Sequence, residues 1–231
     1  MFKYLVVLLL TAGCFPSYAQ DDKSNLDWAN IKRYSKDNEM AGLPAKGEKR
    51  VVFMGNSITE FWKVFDSAFF VNKPYINRGI SGQTTPQMLL RFRPDVINLK
   101  PSAVVILAGI NDIAENNGPI PLEDVFGNIV SMVQLAQANH IEVVLCSVLP
   151  ALDFYWHPGL QPAPKVIRLN TMLRDFCIKN HLVYVDYYSR MVDGNGGLNK
   201  QYSDDGVHPT RAGYAVMDPL VEEGIAKALK H

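Results

Sequence analysis

The stretch Arg50-Val51-Val52-Phe53-Met54-Gly55-Asn56-Ser57-Ile58-Thr59 decides how the rest of the chain is read. Val51 to Met54 form a short apolar run of the kind found in buried strands, and Gly55-Asn56-Ser57 breaks it. Ile58, Phe61, Trp62 and Phe65 then follow at helical spacing. A strand–turn–helix unit of this kind puts Ser57 at the carboxyl end of a strand and the amino end of a helix. In an open α/β sheet ligands bind at that edge, and the free backbone N–H groups of a helix start favour negative charge. A serine at that position also serves simply as a helix cap. The segments downstream decide between the two readings.

Downstream, short apolar runs alternate with amphipathic ones. Strands are expected at Val51–Met54, Tyr75–Asn77, Ala103–Ala108, Ile141–Val148 and Leu182–Asp186. Helices are expected over 58–70, 85–92, 122–139 and 165–180, with a last one from about Thr210 that bends at Pro219. Pro121 suits a first helical turn, and a short helix is expected around Trp28 to Lys36. Strands alternating with helices of this length imply right-handed βαβ crossovers and a parallel sheet covered on both faces. The fold class is therefore α/β, a three-layer α/β/α sandwich with a five-stranded parallel sheet. No internal repeat or long linker divides the 231 residues, a length that suits one domain.

Composition narrows the function classes. Lys+Arg and Asp+Glu each number 23, which argues against a nucleic-acid partner or an acidic lipid surface. Lys3, the apolar run Tyr4 to Ala12 and the small residues of Ser17-Tyr18-Ala19 read as a signal peptide over 1–19, cleaved after Ala19. The apolar run is about half of the roughly twenty residues a bilayer span needs, so no stable membrane insertion is expected. Thr11-Ala12-Gly13-Cys14 partly resembles a lipoprotein signal, with Thr11 where Leu is usual; anchoring at Cys14 is the alternative to soluble export. Residues 20–48 are polar and read as an N-terminal extension packed on a domain of residues 49–231. Cys146 and Cys177 read as buried free thiols, although export would permit a disulfide, and no Cys or His spacing suggests a metal site. No cofactor is expected.

Four polar clusters follow predicted strands and so should gather along one edge of the sheet: Ser57; Asn77 to Thr84; Gly109-Ile110-Asn111-Asp112; and Asp204-Asp205-Gly206-Val207-His208-Pro209. A serine hydrolase needs this inventory of nucleophile, oxyanion donors and a base with its orienting acid. The blocks Gly-Asn-Ser-Ile-Thr, Gly-Ile-Ser-Gly-Gln-Thr-Thr, Ala-Gly-Ile-Asn-Asp and Asp-Gly-Val-His-Pro-Thr, in this order, resemble those of the SGNH hydrolases, the GDSL-type esterases and lipases. The resemblance spans about residues 49–229.

It implies a flavodoxin-like fold and a carboxylic ester hydrolase. Ser57 would be the nucleophile, His208 the base and Asp205 its partner. The N–H groups of Ser57 and Gly82 and the amide of Asn111 would form the oxyanion hole. Asp204 is the rival to Asp205, and only the three-residue spacing to His208 separates them. Asn56 stands where the name-giving motif has Asp. Tyr155 and Trp156, in the loop after the fourth predicted strand, are candidates for substrate binding, whereas Phe61 and Trp62 read as core. His140 and His181, each between a helix end and a strand, carry no assigned function. The substrate class implied is a short acyl ester, most simply acetyl, of a carbohydrate or small alcohol, since no amphipathic lid or long apolar insertion would shelter a fatty chain. A lysophospholipase or thioesterase is the alternative within the same chemistry. An inactive carbohydrate-binding domain is the alternative from another class.

Overall fold

A computed structural model describes residues 27–230. The signal-peptide and Cys14 readings lie outside the described residues, as do residues 20–26. Five parallel strands, β1 (Val51–Gly55), β2 (Tyr75–Gly79), β3 (Ala103–Leu107), β4 (Glu142–Cys146) and β5 (Val183–Val185), form one sheet in the order β2-β1-β3-β4-β5. This is the flavodoxin-like order, with the switch point between β1 and β3. On one face pack α2 (Ser57–Phe65) and α8 (Arg211–Ala228). On the other pack α3 (Thr85–Asp95), α5 (Leu122–Ala138) and α6 (Ala163–Lys179). Shorter helices are α1 (Ser35–Ala41), α4 (Ile110–Ile113) and α7 (Tyr188–Met191).

β1 and β3 are buried at every residue, which is why they read as unbroken apolar runs rather than alternating ones. Between β1 and the α2/α8 layer lies an aromatic cluster. Phe53 meets Trp62 edge-on at 5.7 Å, and Trp62 stacks on Phe69 at 5.1 Å and lies 5.3 Å from Tyr214. Such pairs contribute roughly 0.5–1.5 kcal/mol each beyond the area they bury. Close approach at the strand ends requires glycine. A Cβ on Gly79 would lie 2.1 Å from the Glu60 nitrogen, and one on Gly55 would lie 1.9 Å from the Thr59 hydroxyl oxygen.

Several expected boundaries move. Of the helix expected around Trp28 to Lys36 only the last two residues are helical; residues 28–34 turn instead, and α1 starts at Ser35. The Asp27 carboxylate accepts the N–H groups of Ile31 and Lys32, and Asn30 takes a positive φ of 51°, so the side chain competes successfully with helical bonding. The helix expected over 58–70 ends at Phe65 and a separate 3₁₀ turn follows at Ser67–Phe70. Pro121 caps α5 from outside, with ψ at 139°, and α8 continues as one helix across Pro219. His140 and His181 end α5 and α6 in the left-handed region, with φ of 57° and 55°. In each, paired bonds (Ile141 N to Ala136 O at 3.0 Å, Leu182 N to Cys177 O at 2.9 Å) close a Schellman motif, so both histidines are helix stops. Cys146 and Cys177 are free and buried, and burial pushes both thiols up to about 12.

Residues 27–50 are tied to the sheet by Arg50. Its buried guanidinium donates to the carbonyls of Gly42, Ala41 and Leu99. Among the described residues no helix is long and apolar enough to cross a membrane.

On α8, Asp218 accepts the Trp62 indole N–H at 2.8 Å. Burial pushes its carboxyl up to about 7, the nearby Asp66 carboxylate adds to the rise, and the indole bond opposes it. A carboxyl raised above its unfolded value of about 3.9 stabilises the fold when protonated, and that contribution fades as pH rises from about 4 through 7. Asp218→Asn keeps the acceptor for Trp62 without the charge. The variant's Tm should match wild type near pH 4 and exceed it at pH 8. A gap that is constant across thermal melts from pH 4 to 8 would refute this.

Candidate active site

The turn after β1 delivers Ser57 as the first residue of α2, where helix geometry leaves its N–H without an intrahelical acceptor. Asn56 caps the helix, its side-chain oxygen accepting the Ile58 N–H at 3.2 Å. Ser57 Oγ lies 2.9 Å from His208 Nε2. On the other side of the ring, His208 Nδ1 lies 2.6 Å from Asp205 Oδ2. With the Nδ1 proton donated to Asp205, Nε2 is left to accept from the serine hydroxyl.

Asp205, not Asp204, faces the imidazole. Its Oδ1 accepts the N–H groups of Val207 and His208 at 2.9 and 2.7 Å and the Ser203 hydroxyl at 3.1 Å. Partial burial pushes the Asp205 carboxyl up, but the bonds from His208 and Val207 outweigh it and hold the group below the usual carboxylate range. The carboxylate thus stays ionised beside the ring.

Gly82 and Asn111 line the same pocket, of about 260 Å³, with Ser57 and His208. Gly82 has a φ of 76°, a left-handed conformation that glycine adopts freely. Asn111 Nδ2 donates one hydrogen to the Gln83 carbonyl at 3.0 Å, which fixes the amide plane on the first turn of α4. Its neighbour Asp112 turns the other way and accepts the N–H and hydroxyl of Thr85. Asp112 therefore holds the start of α3 rather than facing the pocket, and burial raises its carboxyl.

Four further residues shape the pocket. Phe61, expected in the core, is half-buried and lies 5.7 Å from the His208 ring. Trp156 lies 6.1 Å from that ring on the pocket wall, beside Tyr155 at 4.8 Å. Asn116, which sequence reasoning missed, accepts the Trp156 indole N–H at 2.9 Å and donates to the Gly82 carbonyl at 3.2 Å. One amide thus braces the aromatic wall against the Gly82 loop. Only its place five residues after Asn111 could have pointed to it.

Behind the site lies Arg91, wholly buried. Its guanidinium donates to the carbonyls of Gly55 and Arg78 at 2.8 Å each, to Asp95 at 3.0 Å and to the Gln83 side chain. One cation therefore joins the ends of β1 and β2 to the loop that carries Gly82. Burial lowers the Arg91 pKa, and Asp95 opposes that.

Residues 53–216 match the family model for GDSL-like lipases and acylhydrolases. A solved structure of a proposed acylhydrolase from Bacteroides fragilis is 53% identical, covers 87% of this chain and 98% of its own, and superposes with a TM-score of 0.86. An uncharacterized lipoprotein from Bacillus subtilis is 24% identical over 68% of this chain and 78% of its own. An acetylxylan esterase from Geobacillus stearothermophilus, solved as a catalytic mutant, is 18% identical over 78% of this chain and 94% of its own. Its TM-score of 0.61 marks a shared fold.

Removing one partner of a buried ion pair typically costs about 3–5 kcal/mol. Arg91→Met should therefore lower unfolding stability by about that much, while Arg91→Met with Asp95→Leu should recover a large part of the loss. Denaturant melts check both; a single-variant loss below about 1 kcal/mol would show the hub to be dispensable.

Proposed function

Because the chain belongs to the GDSL-like lipase and acylhydrolase family, we propose that it is an exported serine esterase removing short acyl groups, acetyl above all, from carbohydrate esters. The observation that carries this reading is the unbroken line Ser57 Oγ, His208 Nε2, His208 Nδ1, Asp205 Oδ2, opening on a pocket that Gly82 and Asn111 also line.

In this mechanism His208 Nε2 takes the Ser57 proton as Oγ attacks the acyl carbon. The carbonyl oxygen becomes an oxyanion held by the N–H groups of Ser57 and Gly82 and the second amide hydrogen of Asn111. His208, steadied by Asp205, returns the proton to the alcohol oxygen and the alcohol departs. Water then attacks the acyl-enzyme, giving its proton to Nε2, which passes it to the Ser57 oxygen as the acid departs. The pocket, at about 260 Å³, falls below the usual range of about 300–1,000 Å³ for drug-sized ligands. Phe61 and Trp156 narrow it, which supports a short acyl group over a fatty one. The fold shared with an acetylxylan esterase agrees with the acetyl preference. The lipoprotein relative supports export, with cleavage after Ala19 as the reading and lipidation at Cys14 as its rival.

Ser57→Ala should abolish hydrolysis of p-nitrophenyl acetate with the melting curve unchanged; wild-type turnover would refute the assignment. Asn111→Ala should reduce kcat by about 10²–10³. Asp205→Ala should be far more damaging than Asp204→Ala, and the reverse order would exchange their roles. Across p-nitrophenyl esters, rates should fall from acetate to octanoate, whereas a maximum at eight carbons or more would favour the lysophospholipase reading. Mass spectrometry of the exported protein should find Gln20 at its start rather than a lipidated Cys14.

A further inference from the structure

Beside the catalytic pocket opens a second and larger cleft, of about 690 Å³. Tyr155 lines both, so the two adjoin at that residue. The apolar part of the cleft is Leu152, Phe154 and Leu198, and its polar rim carries Asp153, Asp193, Asp204 and Lys200. Asp205 also faces it.

The cleft's position fixes which half of an ester it could hold. A departing alcohol must lie within hydrogen-bond reach of the general acid, here His208 Nε2. Asp205, on the far side of that ring, lines the cleft. The cleft is walled by the Ser203–Gly206 segment that leads into His208 and shares Tyr155 with the pocket, but it has neither Gly82 nor Asn111 in its lining. It adjoins the pocket away from the oxyanion donors, which leaves it to the alcohol half rather than the acyl oxygen.

We propose that this cleft binds the alcohol half of the ester as an uncharged oligosaccharide of two or more sugar units. The inference rests on the esterase reading above and names its substrate. Tyr155 is 68% exposed, yet its ring is braced edge-on against Trp156 at 4.8 Å. A displayed but fixed aromatic plane suits the C–H face of a pyranose ring. The carboxylates suit its hydroxyls. Asp153 Oδ1 is occupied by the N–H groups of Phe154 and Gly159, and Asp193 Oδ1 by those of Asn195 and Gly197. Each side chain is thereby fixed while Oδ2 remains an acceptor. Four carboxylates, those of Asp153, Asp193, Asp204 and Asp205, against the single Lys200 also set a sign. A uronic acid or a phosphate headgroup would meet like charge there, an element of discrimination against anionic alcohols.

The test compares kcat/KM of the full chain for acetylated xylose, xylobiose, xylotriose and a trigalacturonate, with p-nitrophenyl acetate as the reference ester. Ser57→Ala is titrated with unacetylated xylotetraose by calorimetry. From one unit to three, kcat/KM should rise about tenfold, mostly through KM, as one hydrogen bond to a charged group would give. The acetylated trigalacturonate should be poorer than xylotriose at low salt. In Asp193→Asn with Asp204→Asn that gap should narrow, and xylotetraose should bind Ser57→Ala more weakly when the two changes are added. A flat length profile together with no xylotetraose binding overturns the cleft while leaving p-nitrophenyl acetate hydrolysis, and so the esterase reading, intact. Equal turnover of trigalacturonate and xylotriose esters overturns the charge argument and with it the proposal. A chain inactive on every ester that still binds xylotetraose overturns the esterase reading alone.

Discussion

The site depends on a buried cation that never reaches it. Arg91 has no solvent contact, and an isolated guanidinium there would be far too costly to bury. It is tolerated because Asp95 neutralises it and two strand-end carbonyls and the Gln83 side chain take its remaining donors. Those acceptors belong to β1, β2 and the Gly82 loop, so satisfying one charge fixes the relative positions of three segments. Gln83 carries the constraint further. Its amide donates to the Ala29 carbonyl and its backbone carbonyl accepts from Asn111. The N-terminal segment, the Gly82 loop and the end of β3 are thereby joined in one network around the helix that bears Ser57.

How much of this the sequence revealed follows from where each signal was local. The strands were legible because burial on both faces leaves nearly continuous apolar runs, and Val51–Gly55 and Ala103–Leu107 are such runs. Ser57 and Asn111 were legible as candidates because each sits just beyond such a run, whereas Asp205 and His208 lie well past β5, beyond α7, and were singled out only by their motif. Arg91 was not: on the chain it reads as a charge on an amphipathic helix, and its acceptor at Gly55 lies 36 positions away. Phe61 misled for the opposite reason. Its spacing from Ile58 and Trp62 matches a core stripe, but α2 buries those two and leaves Phe61 at the stripe's edge, against His208. Near the N-terminus, Asp27 capped a turn where periodicity suggested a helix.

The aromatic pair about His208 connects packing to chemistry. Phe61 and Trp156 lie 5.7 and 6.1 Å from the imidazole, so apolar rings stand where water would otherwise screen the Ser57–His208 bond. Excluding water strengthens fixed dipoles and hydrogen bonds in the pocket. Trp156 comes from a loop, and loops wander unless held. Here Asn116 holds the indole, and His157 Nδ1 lies 2.9 Å from the Ala114 carbonyl. The loop after β4 is therefore docked on the segment after β3 at two adjacent residues.

Asn56 shows what this edge tolerates. Its oxygen caps α2, which a carboxylate would do as well and with a more favourable interaction with the helix dipole. The amide instead leaves Nδ2 buried with no protein partner among the described residues. A carboxylate, the residue type of the name-giving motif, would cap without that donor, whereas the amide caps without a full charge beside Ser57. Local rules are expected to break where a turn carries a candidate site as well as the fold, and the turn after β1 is such a place.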